Sequence, residues 1–262
     1  MKLGAFHFSL FLSLTATIFS SVICYDRHDP RGNITVRWDI LSWTPDGYLA
    51  VVNITNYQRY RPVQAPGWQL SWTWSKREVI WNVLGATTTN QGDCSKYKAN
   101  VPSSCEKRPT IVDLTAGAPL INQIEGCCRG GTLTAREEDM ETSTAGFQLA
   151  VGEAGTTNAT VALPHNFTLQ APREGYTCGS ARVVDPTRFL TFDRNRFTQA
   201  LMTWQVVCTY STFLANKAPP CCVSWSSFDH WMSATCSKCA CNCMNISAAC
   251  GRCVLHLLLS LL

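Results

Sequence analysis

The sequence predicts an all-β fold: an antiparallel, β-sandwich-like domain with disulfide-pinned loops and a small cysteine-rich C-terminal segment. Several short stretches alternate apolar and polar residues, as half-buried strands do. Gly and Pro, 16 and 12 of the 262 residues, separate these stretches at predicted turns. The chain also has 15 cysteines and 46% hydrophobic residues, enough to bury a core, so a wholly disordered chain is excluded.

The charge balance excludes one class of partner. Only 15% of the residues are charged, the formal net charge is +4, and Lys and Arg form no block along the chain. Proteins that bind nucleic acids concentrate basic residues into patches or stripes. We therefore expect no nucleic-acid partner.

The first 24 residues have the pattern of a secretory signal peptide. Phe8–Val22 is an apolar run softened by Ser and Thr, and it is shorter than the ~20 apolar residues that a membrane span needs. We predict a signal peptide over residues 1–24, with cleavage near Cys24; a retained membrane anchor is the alternative. Cleavage leaves 14 of the 15 cysteines, and an even number in a secreted chain predicts complete disulfide pairing.

Five N-glycosylation sequons also favour secretion, because N-glycans are added in the secretory pathway. We expect all five to lie on surface segments of an extracellular glycoprotein. Their asparagines are Asn33, Asn53, Asn158, Asn166 and Asn245.

The first predicted strands are Ile34–Ile40 and Tyr48–Ile54. Thr44-Pro45-Asp46-Gly47 between them predicts a turn, because Pro restricts φ and Gly accepts a left-handed conformation. Two further strands, Trp68–Trp74 and Val79–Leu84, follow a break rich in Pro and Gly.

The middle of the chain, Gly85–Gly131, is rich in Gly, Pro, Asn and Cys and is predicted to be a disulfide-pinned loop. A short helical turn is predicted over Arg136–Glu141. Eight or nine short strands separated by turns are typical of an antiparallel sandwich. The remaining predicted strands are Phe147–Val151, Thr160–Leu163, Phe167–Leu169, Arg188–Phe192 and Leu201–Tyr210.

We divide the chain after the signal peptide into a sandwich domain over 25–220, a cysteine-rich segment over 221–253 and a short apolar tail over 254–262. The spacing of the cysteines in the second segment could suit zinc, but disulfides are the better interpretation for a secreted chain. The cysteines expected to pair are Cys94, Cys105, Cys127, Cys128, Cys178, Cys208, Cys221, Cys222, Cys236, Cys239, Cys241, Cys243, Cys250 and Cys253.

Two pairs of cysteines are adjacent in the sequence, Cys127-Cys128 and Cys221-Cys222. Adjacent cysteines bridge each other only with strain. We therefore expect each pair to bond outward to different partners.

The sequence offers no catalytic constellation. It contains no nucleophile elbow, phosphate-binding loop, zinc-protease motif or dinucleotide-binding motif. Its one acidic cluster, between Glu137 and Glu141, is typical of a solvated turn. We predict no enzyme activity, catalytic residue, metal site or cofactor. A polysaccharide-modifying enzyme, which would need two carboxyl groups flanking a cleft, is one alternative.

Aromatic residues are the positive signal for function. Trp68, Trp72 and Trp74 occupy even offsets on one predicted strand and therefore share one face. Facing outward they would form a flat strip for stacking on sugar rings, and facing inward they would belong to the core; the pattern leaves both open. Trp43 and Tyr48, which flank the predicted hairpin turn, are further candidates for glycan binding.

Eight segments of the sequence stand out as motifs: Gly32–Tyr48, Gln64–Trp74, Gln91–Ser95, Gly126–Gly131, Gly155–Asn158, Leu163–Leu169, Gln199–Trp204 and Cys221–Ser224. Together they resemble the COBRA-like family of plant cell-wall proteins, and the resemblance spans about Tyr25 to Phe228. The last of the segments is the family's Cys-Cys-Val-Ser motif.

The resemblance implies a non-enzymatic extracellular protein, typically held on the outer leaflet of the plasma membrane by a glycosylphosphatidylinositol (GPI) anchor. It implies cellulose or another β-glucan as the partner, and a role in depositing and orienting cellulose microfibrils during wall biogenesis and cell expansion. A cysteine-stapled protein-interaction module without glycan affinity is the other alternative.

The end of the sequence departs from the family pattern. The apolar run Val254–Leu262 has nine residues, and only four residues separate it from the small triplet Ser247-Ala248-Ala249. A GPI signal has a spacer of about 8–12 residues and a tail of about 10–20. We therefore expect a C-terminally truncated or variant member with poor or no lipid anchoring.

Overall fold

The computed structural model describes residues 26, 28–139, 141–190 and 197–215. The chain divides into two compact units, of which Asp26–Ser211 is one. The second unit is described only over one helical turn, α1 (Thr212–Ala215). The predicted signal peptide, cysteine-rich segment, apolar tail and Asn245 all lie outside the described residues, and no described helix is long and apolar enough to cross a membrane.

The described part of the first unit is built from 13 strands and one 3₁₀ turn, Leu120–Asn122. The strands are β1 (Ile34–Thr44), β2 (Gly47–Asn56), β3 (Gln69–Thr73), β4 (Val79–Leu84), β5 (Ala86–Thr88), β6 (Thr110–Asp113), β7 (Thr144–Gly152), β8 (His165–Gln170), β9 (Tyr176–Cys178), β10 (Arg182–Val184), β11 (Arg188–Leu190), β12 (Phe197–Gln199) and β13 (Met202–Tyr210).

The strands form two main antiparallel sheets. The larger sheet has the order β10-β13-β1-β2-β7-β4, and β9 also pairs with β13. The smaller sheet has the order β5-β6-β3-β8, while β11 and β12 pair separately. The all-β prediction is confirmed.

Side chains from both sheets meet in one aromatic core. Alternate residues of β1 are fully buried because successive side chains of a strand point to opposite faces. Trp38 of β1 meets Trp72 of β3 edge to face, with ring centroids 5.1 Å apart. Trp68 stacks on Phe147 of β7 at 5.8 Å. These contacts join the inner faces of the two sheets, as in a sandwich.

The first hairpin forms as predicted, with Trp43 opposite Tyr48 and Thr44 opposite Gly47. The reason for the glycine is different, however, because Gly47 does not have a positive φ. A Cβ atom there would lie 2.1 Å from the carbonyl oxygen of Val151. Gly47 is required by the close approach of β2 and β7.

Three local predictions are wrong. The predicted loop Gly85–Gly131 contains β5 and β6; β5 pairs with β6, and β6 pairs with β3, which is distant in the sequence. Thr160–Leu163 is not a strand, because Thr160 and Val161 donate their backbone N–H groups to Thr157 and close a turn. The predicted helical turn near Arg136 is a non-helical turn over its described residues.

All six described cysteines are disulfide-bonded. Cys94 pairs with Cys105 and Cys178 with Cys208. Cys127 and Cys128 bond to each other, so the outward pairing predicted for them is wrong. The physical reason is a sharp turn that brings the two side chains together: φ is positive at Gly126, Cys128 and the two glycines that follow.

Candidate functional site

The three tryptophans of the predicted strip are core residues. Trp68, Trp72 and Trp74 are 1%, 0% and 1% exposed. The inner face of β3 packs against the large sheet, and Trp74 also meets Trp38 at 6.1 Å. A buried indole has no free face for a sugar ring, so the outward-facing hypothesis is wrong for all three.

The two candidates at the hairpin turn, Trp43 and Tyr48, are also largely engaged in core packing. Tyr48 is 1% exposed and packs edge to face against Trp204 at 6.1 Å. Burial, together with the charge of Glu78, raises the pKa of the Tyr48 hydroxyl well above its usual value. Tyr48 is therefore not available for glycan binding. Trp43 is half-buried and its ring meets that of Tyr48 at 6.2 Å, which leaves only part of the indole accessible.

A concave site lies elsewhere, on the outer face of the large sheet. An open groove of about 600 Å³ crosses its four neighbouring strands β13, β1, β2 and β7. We call it the outer-face groove. Its lining residues are Asn33, Thr35, Arg37, Asn53, Thr55, Tyr57, Thr144 and Gln205.

One row of the groove consists of hydroxyl groups. Thr35 of β1 lies opposite Thr55 of β2, which lies opposite Thr144 of β7. The Oγ1 atoms of Thr55 and Thr144 are 3.1 Å apart and share a hydrogen bond. All three face outward because their neighbours along the strands point into the core.

A second row, two residues further along the strands, carries amide and guanidinium groups. Arg37 of β1 lies between Gln205 of β13 and Asn53 of β2. One Nη of Arg37 donates to the carbonyl oxygen of Asp185 at 3.3 Å, while its buried Nε has no partner among the described residues. The Arg37 side chain is therefore held at one end by the backbone of Asp185.

Gly146 of β7 lies opposite Asn53 of the second row. A Cβ atom at Gly146 would lie 3.0 Å from Oδ1 of Asn53, closer than most real contacts. Glycine thus leaves the Asn53 amide free of a crowding side chain.

Tyr57 marks one end of the groove. Its backbone N–H donates to the carbonyl oxygen of Asn33 at 2.8 Å, which continues the pairing of β1 and β2 past the strand ends. The side chain is 39% exposed, and the guanidinium carbon of Arg136 lies 5.3 Å from the ring centroid. Tyr57 therefore presents an aromatic surface beside the two polar rows.

These groups can bind polyhydroxylated chains through hydrogen bonds. Hydroxyl and amide groups both donate and accept, and a guanidinium group donates only. Such a set can satisfy sugar hydroxyls, which also act in both ways. No three His, Cys, Asp or Glu side chains in the described part of the chain are placed to hold a metal ion.

A second group of surface aromatics belongs to a closed polar network. Tyr97 meets Trp81 edge to face at 5.1 Å, and Trp81 donates to Asp46 at 3.2 Å. Lys96 forms an ion pair with Glu153 at 2.7 Å, and the Tyr97 hydroxyl donates to the same carboxylate. Hydrogen bonds from Lys96 and then Tyr97 lower the pKa of Glu153. Because these partners satisfy one another, the network pins the disulfide-bonded loop to Glu153, the residue that follows β7.

The predicted sequons are distributed over both sheets. Asn33 and Asn53 line the outer-face groove. Asn158 donates to the carbonyl oxygen of Leu201 at 3.2 Å, and Asn166 is exposed on β8 of the smaller sheet.

Sequence reasoning missed the groove, including Arg37, Tyr57, Thr144 and Gln205. A signal was present, because the polar residues of β1 and β2 alternate with buried apolar residues and therefore share the outer face.

Comparisons with known proteins identify the family. The family model of the COBRA N-terminal domain matches residues 48–211. The chain is 53% identical to Protein COBRA of Arabidopsis thaliana over 241 residues, covering 92% of this chain and 53% of that protein. It is 57% identical to COBRA-like protein 6 of Oryza sativa subsp. japonica over 235 residues, covering 90% of this chain and 52% of that protein.

The chain therefore belongs to the COBRA family. It spans about half the length of the curated relatives it matches. No solved structure matches it.

Proposed function

We propose that this protein is an extracellular, non-catalytic cell-wall glycoprotein that binds cellulose or another β-glucan in its outer-face groove. In this role it helps to organise cellulose microfibrils during wall biogenesis and cell expansion. Membership of the COBRA family supports the assignment to the cell wall. The shape and chemistry of the groove support the binding of a sugar polymer.

The observation that carries the proposal is the pair of polar rows across the sheet. Neighbouring strands lie roughly 4.8 Å apart, so a linear sugar chain lying across them meets a hydrogen-bonding side chain from each strand in turn. Thr35, Thr55 and Thr144 form one side of this path. Gln205, Arg37 and Asn53 form the other. Repeated polar contacts at regular spacing suit a repeating ligand.

The groove favours a single glucan chain over a crystalline surface. A flat crystal face requires a planar row of exposed aromatic rings, and Trp68, Trp72 and Trp74 are buried. A concave groove with Tyr57 at one end can instead enclose the edges of one chain. We therefore propose binding to accessible, non-crystalline chains.

The state of the carboxylates near the groove supports binding rather than hydrolysis. Asp29 is 7% exposed, and one of its oxygens accepts the backbone N–H of Arg59 at 2.7 Å. Glu137 forms an exposed pair with the side chain of Arg59 at 3.6 Å. Glycoside hydrolysis requires two carboxyl groups that face a substrate from opposite sides of the scissile bond. Asp29 is held by the backbone of Arg59, and the residues that line the groove include no Asp or Glu.

Co-sedimentation of the secreted full-length chain with amorphous cellulose tests the proposal. We expect Gln205→Ala and Thr144→Val each to weaken binding about five- to tenfold, because each removes a polar group from the groove without disturbing a sequon. Gln69→Ala is the matched control, because Gln69 is exposed on the smaller sheet. Equal binding by parent and groove variants, or release of soluble sugars from the polymer, would contradict the proposal.

A further inference from the structure

A second concave site adjoins the outer-face groove and has a different chemistry. It has a volume of about 540 Å³ and shares Asn33 and Tyr57 with the groove. We call it the basic end. Its lining residues are Asp29, Arg31, Asn33, Tyr57, Arg59, Arg136 and Glu137.

The positive charge of the basic end is only partly neutralised. Arg59 pairs with Glu137 at 3.6 Å, with side-chain exposures of 62% and 60%, and such exposed pairs are weak. Arg31 and Arg136 are both exposed and have no ion-pair partner among the described residues. The site therefore offers at least two guanidinium groups to a ligand.

The Asp29 carboxylate does not compete for these guanidinium groups. From the turn that precedes β1, it accepts the backbone N–H of Arg59, which follows β2. Gly32 makes room for it, because a Cβ atom at that position would lie 2.1 Å from Oδ2 of Asp29. The carboxylate of Asp29 is thus engaged in a hydrogen bond with the backbone of Arg59.

The backbone beneath the arginines is fixed. The N–H of Arg136 donates to the carbonyl oxygen of Gln58 at 2.9 Å, and the N–H of Tyr57 donates to Asn33 at 2.8 Å. These bonds join the turn before β1, the end of β2 and the turn at Arg136. The three arginines that line the basic end therefore come from three separate chain segments, and the guanidinium group of Arg136 lies against the Tyr57 ring.

We infer that the basic end binds the carboxylates of an acidic polysaccharide, a polymer of uronic acid units. The planar guanidinium group binds carboxylates in a bidentate manner. The ring of Tyr57, with Arg136 against it at 5.3 Å, offers an apolar surface for the sugar ring that carries the carboxylate. This site does not depend on glucan binding in the neighbouring groove.

Affinity electrophoresis of the secreted full-length chain in gels containing polygalacturonate tests this inference. The fully methyl-esterified polymer is the matched ligand control, because it has the same backbone with its carboxylates capped. We expect the parent to bind the acid form and not the ester, and binding to weaken with added salt. The double variant Arg31→Gln/Arg136→Gln should lose at least about tenfold in affinity.

Arg108→Gln is the matched protein control, because Arg108 is exposed in the loop before β6 and its loss changes the charge by the same amount as each single substitution. Its affinity should stay within about twofold of the parent. An equal loss in Arg108→Gln, equal binding of the ester, or no binding of the acid form by the parent would overturn the inference. So would binding of anionic phospholipid vesicles in place of the polymer.

A separate titration keeps this inference distinct from the proposed function. Binding of a soluble cello-oligosaccharide by Arg31→Gln should stay within about twofold of the parent, because Arg31 lines only the basic end. A selective loss of glucan binding in this variant would show that the two sites are one, and would overturn the assignment of Arg31 to an acidic ligand.

Discussion

Asn53 lies directly opposite Arg37 in the middle of the large sheet, so a sequon asparagine and a half-buried arginine are neighbours in the groove. A glycan on Asn53 would have to leave through the groove, because β1 and β7 flank β2 on both sides. Glycosylation at this position would therefore compete with a glucan ligand.

We predict that Asn53→Gln raises glucan binding of the secreted protein about three- to tenfold wherever Asn53 carries a glycan. Mass spectrometry of the parent would establish that occupancy. Asn166→Gln, which removes a sequon from the smaller sheet, should leave binding unchanged. Stronger binding by the glycosylated parent than by Asn53→Gln would show that the glycan does not occupy the groove.

Burial of Trp72 predicts a large effect on stability. Trp72→Ala removes a fully buried side chain that touches Trp38, Trp74 and Phe167. We expect a loss of about 3–5 kcal/mol in the free energy of unfolding. Tyr60→Ala, at a 66% exposed position, should change it by less than about 0.5 kcal/mol. Denaturant unfolding followed by tryptophan fluorescence measures both, and a native-like Trp72→Ala would place the indole outside the core.

Asp113 organises the turn that contains the adjacent disulfide. Its carboxylate accepts backbone N–H groups from Cys128, Arg129 and Gly131 at 2.8, 3.0 and 2.8 Å. Asp113→Asn replaces one acceptor oxygen by a donor, so we expect a loss of about 2 kcal/mol in the free energy of unfolding. Asp93→Asn, at an exposed position, is the control for loss of an acidic side chain. Equal midpoint temperatures of thermal unfolding for the parent and Asp113→Asn would contradict this assignment.

The ion pair between Lys96 and Glu153 predicts that the free energy of unfolding depends on pH in the acid range. The folded-state pKa of Glu153 lies below its ordinary value of 4.5, first because of Lys96 and then because of Tyr97. The stabilisation that ionised Glu153 contributes is therefore complete above the unfolded-state pKa of Glu153. It is lost as the pH falls through the lower folded-state pKa of the same group.

Denaturant titrations at about pH 7 and about pH 3 test this dependence. The parent should be more stable than Glu153→Gln at neutral pH, and the difference should shrink at acid pH. Glu141→Gln, which changes an exposed carboxylate, is the control. A difference that grows on acidification would contradict the direction of the Glu153 shift.

Local patterns predicted the longer strands because these strands carry a complete alternation. The hairpin of β1 and β2 and the bounds of β4 follow from residues close in sequence. β5 and β6 have only three and four residues, too few to show a period. The pairing of β6 with β3 requires contacts between distant parts of the chain, which no local pattern contains.

The site could be predicted only in part, for a related reason. Alternation places Trp68 and Trp72 on one face of the predicted strand Trp68–Trp74 but does not tell which face is inward. Likewise, it places Thr35 and Arg37 together on β1, while the groove exists only because β13, β1, β2 and β7 are neighbours in that order. The order of strands depends on the whole fold.

Isothermal titration calorimetry with a soluble cello-oligosaccharide tests the central claim most directly. The parent should bind one chain per molecule, and Tyr57→Ala should bind at least about tenfold more weakly. Trp43→Ala, which changes an aromatic residue at the hairpin turn, should bind within about twofold of the parent. Absence of binding by the parent, or loss of binding in Trp43→Ala with none in Tyr57→Ala, would contradict the assignment of the outer-face groove as the glucan site.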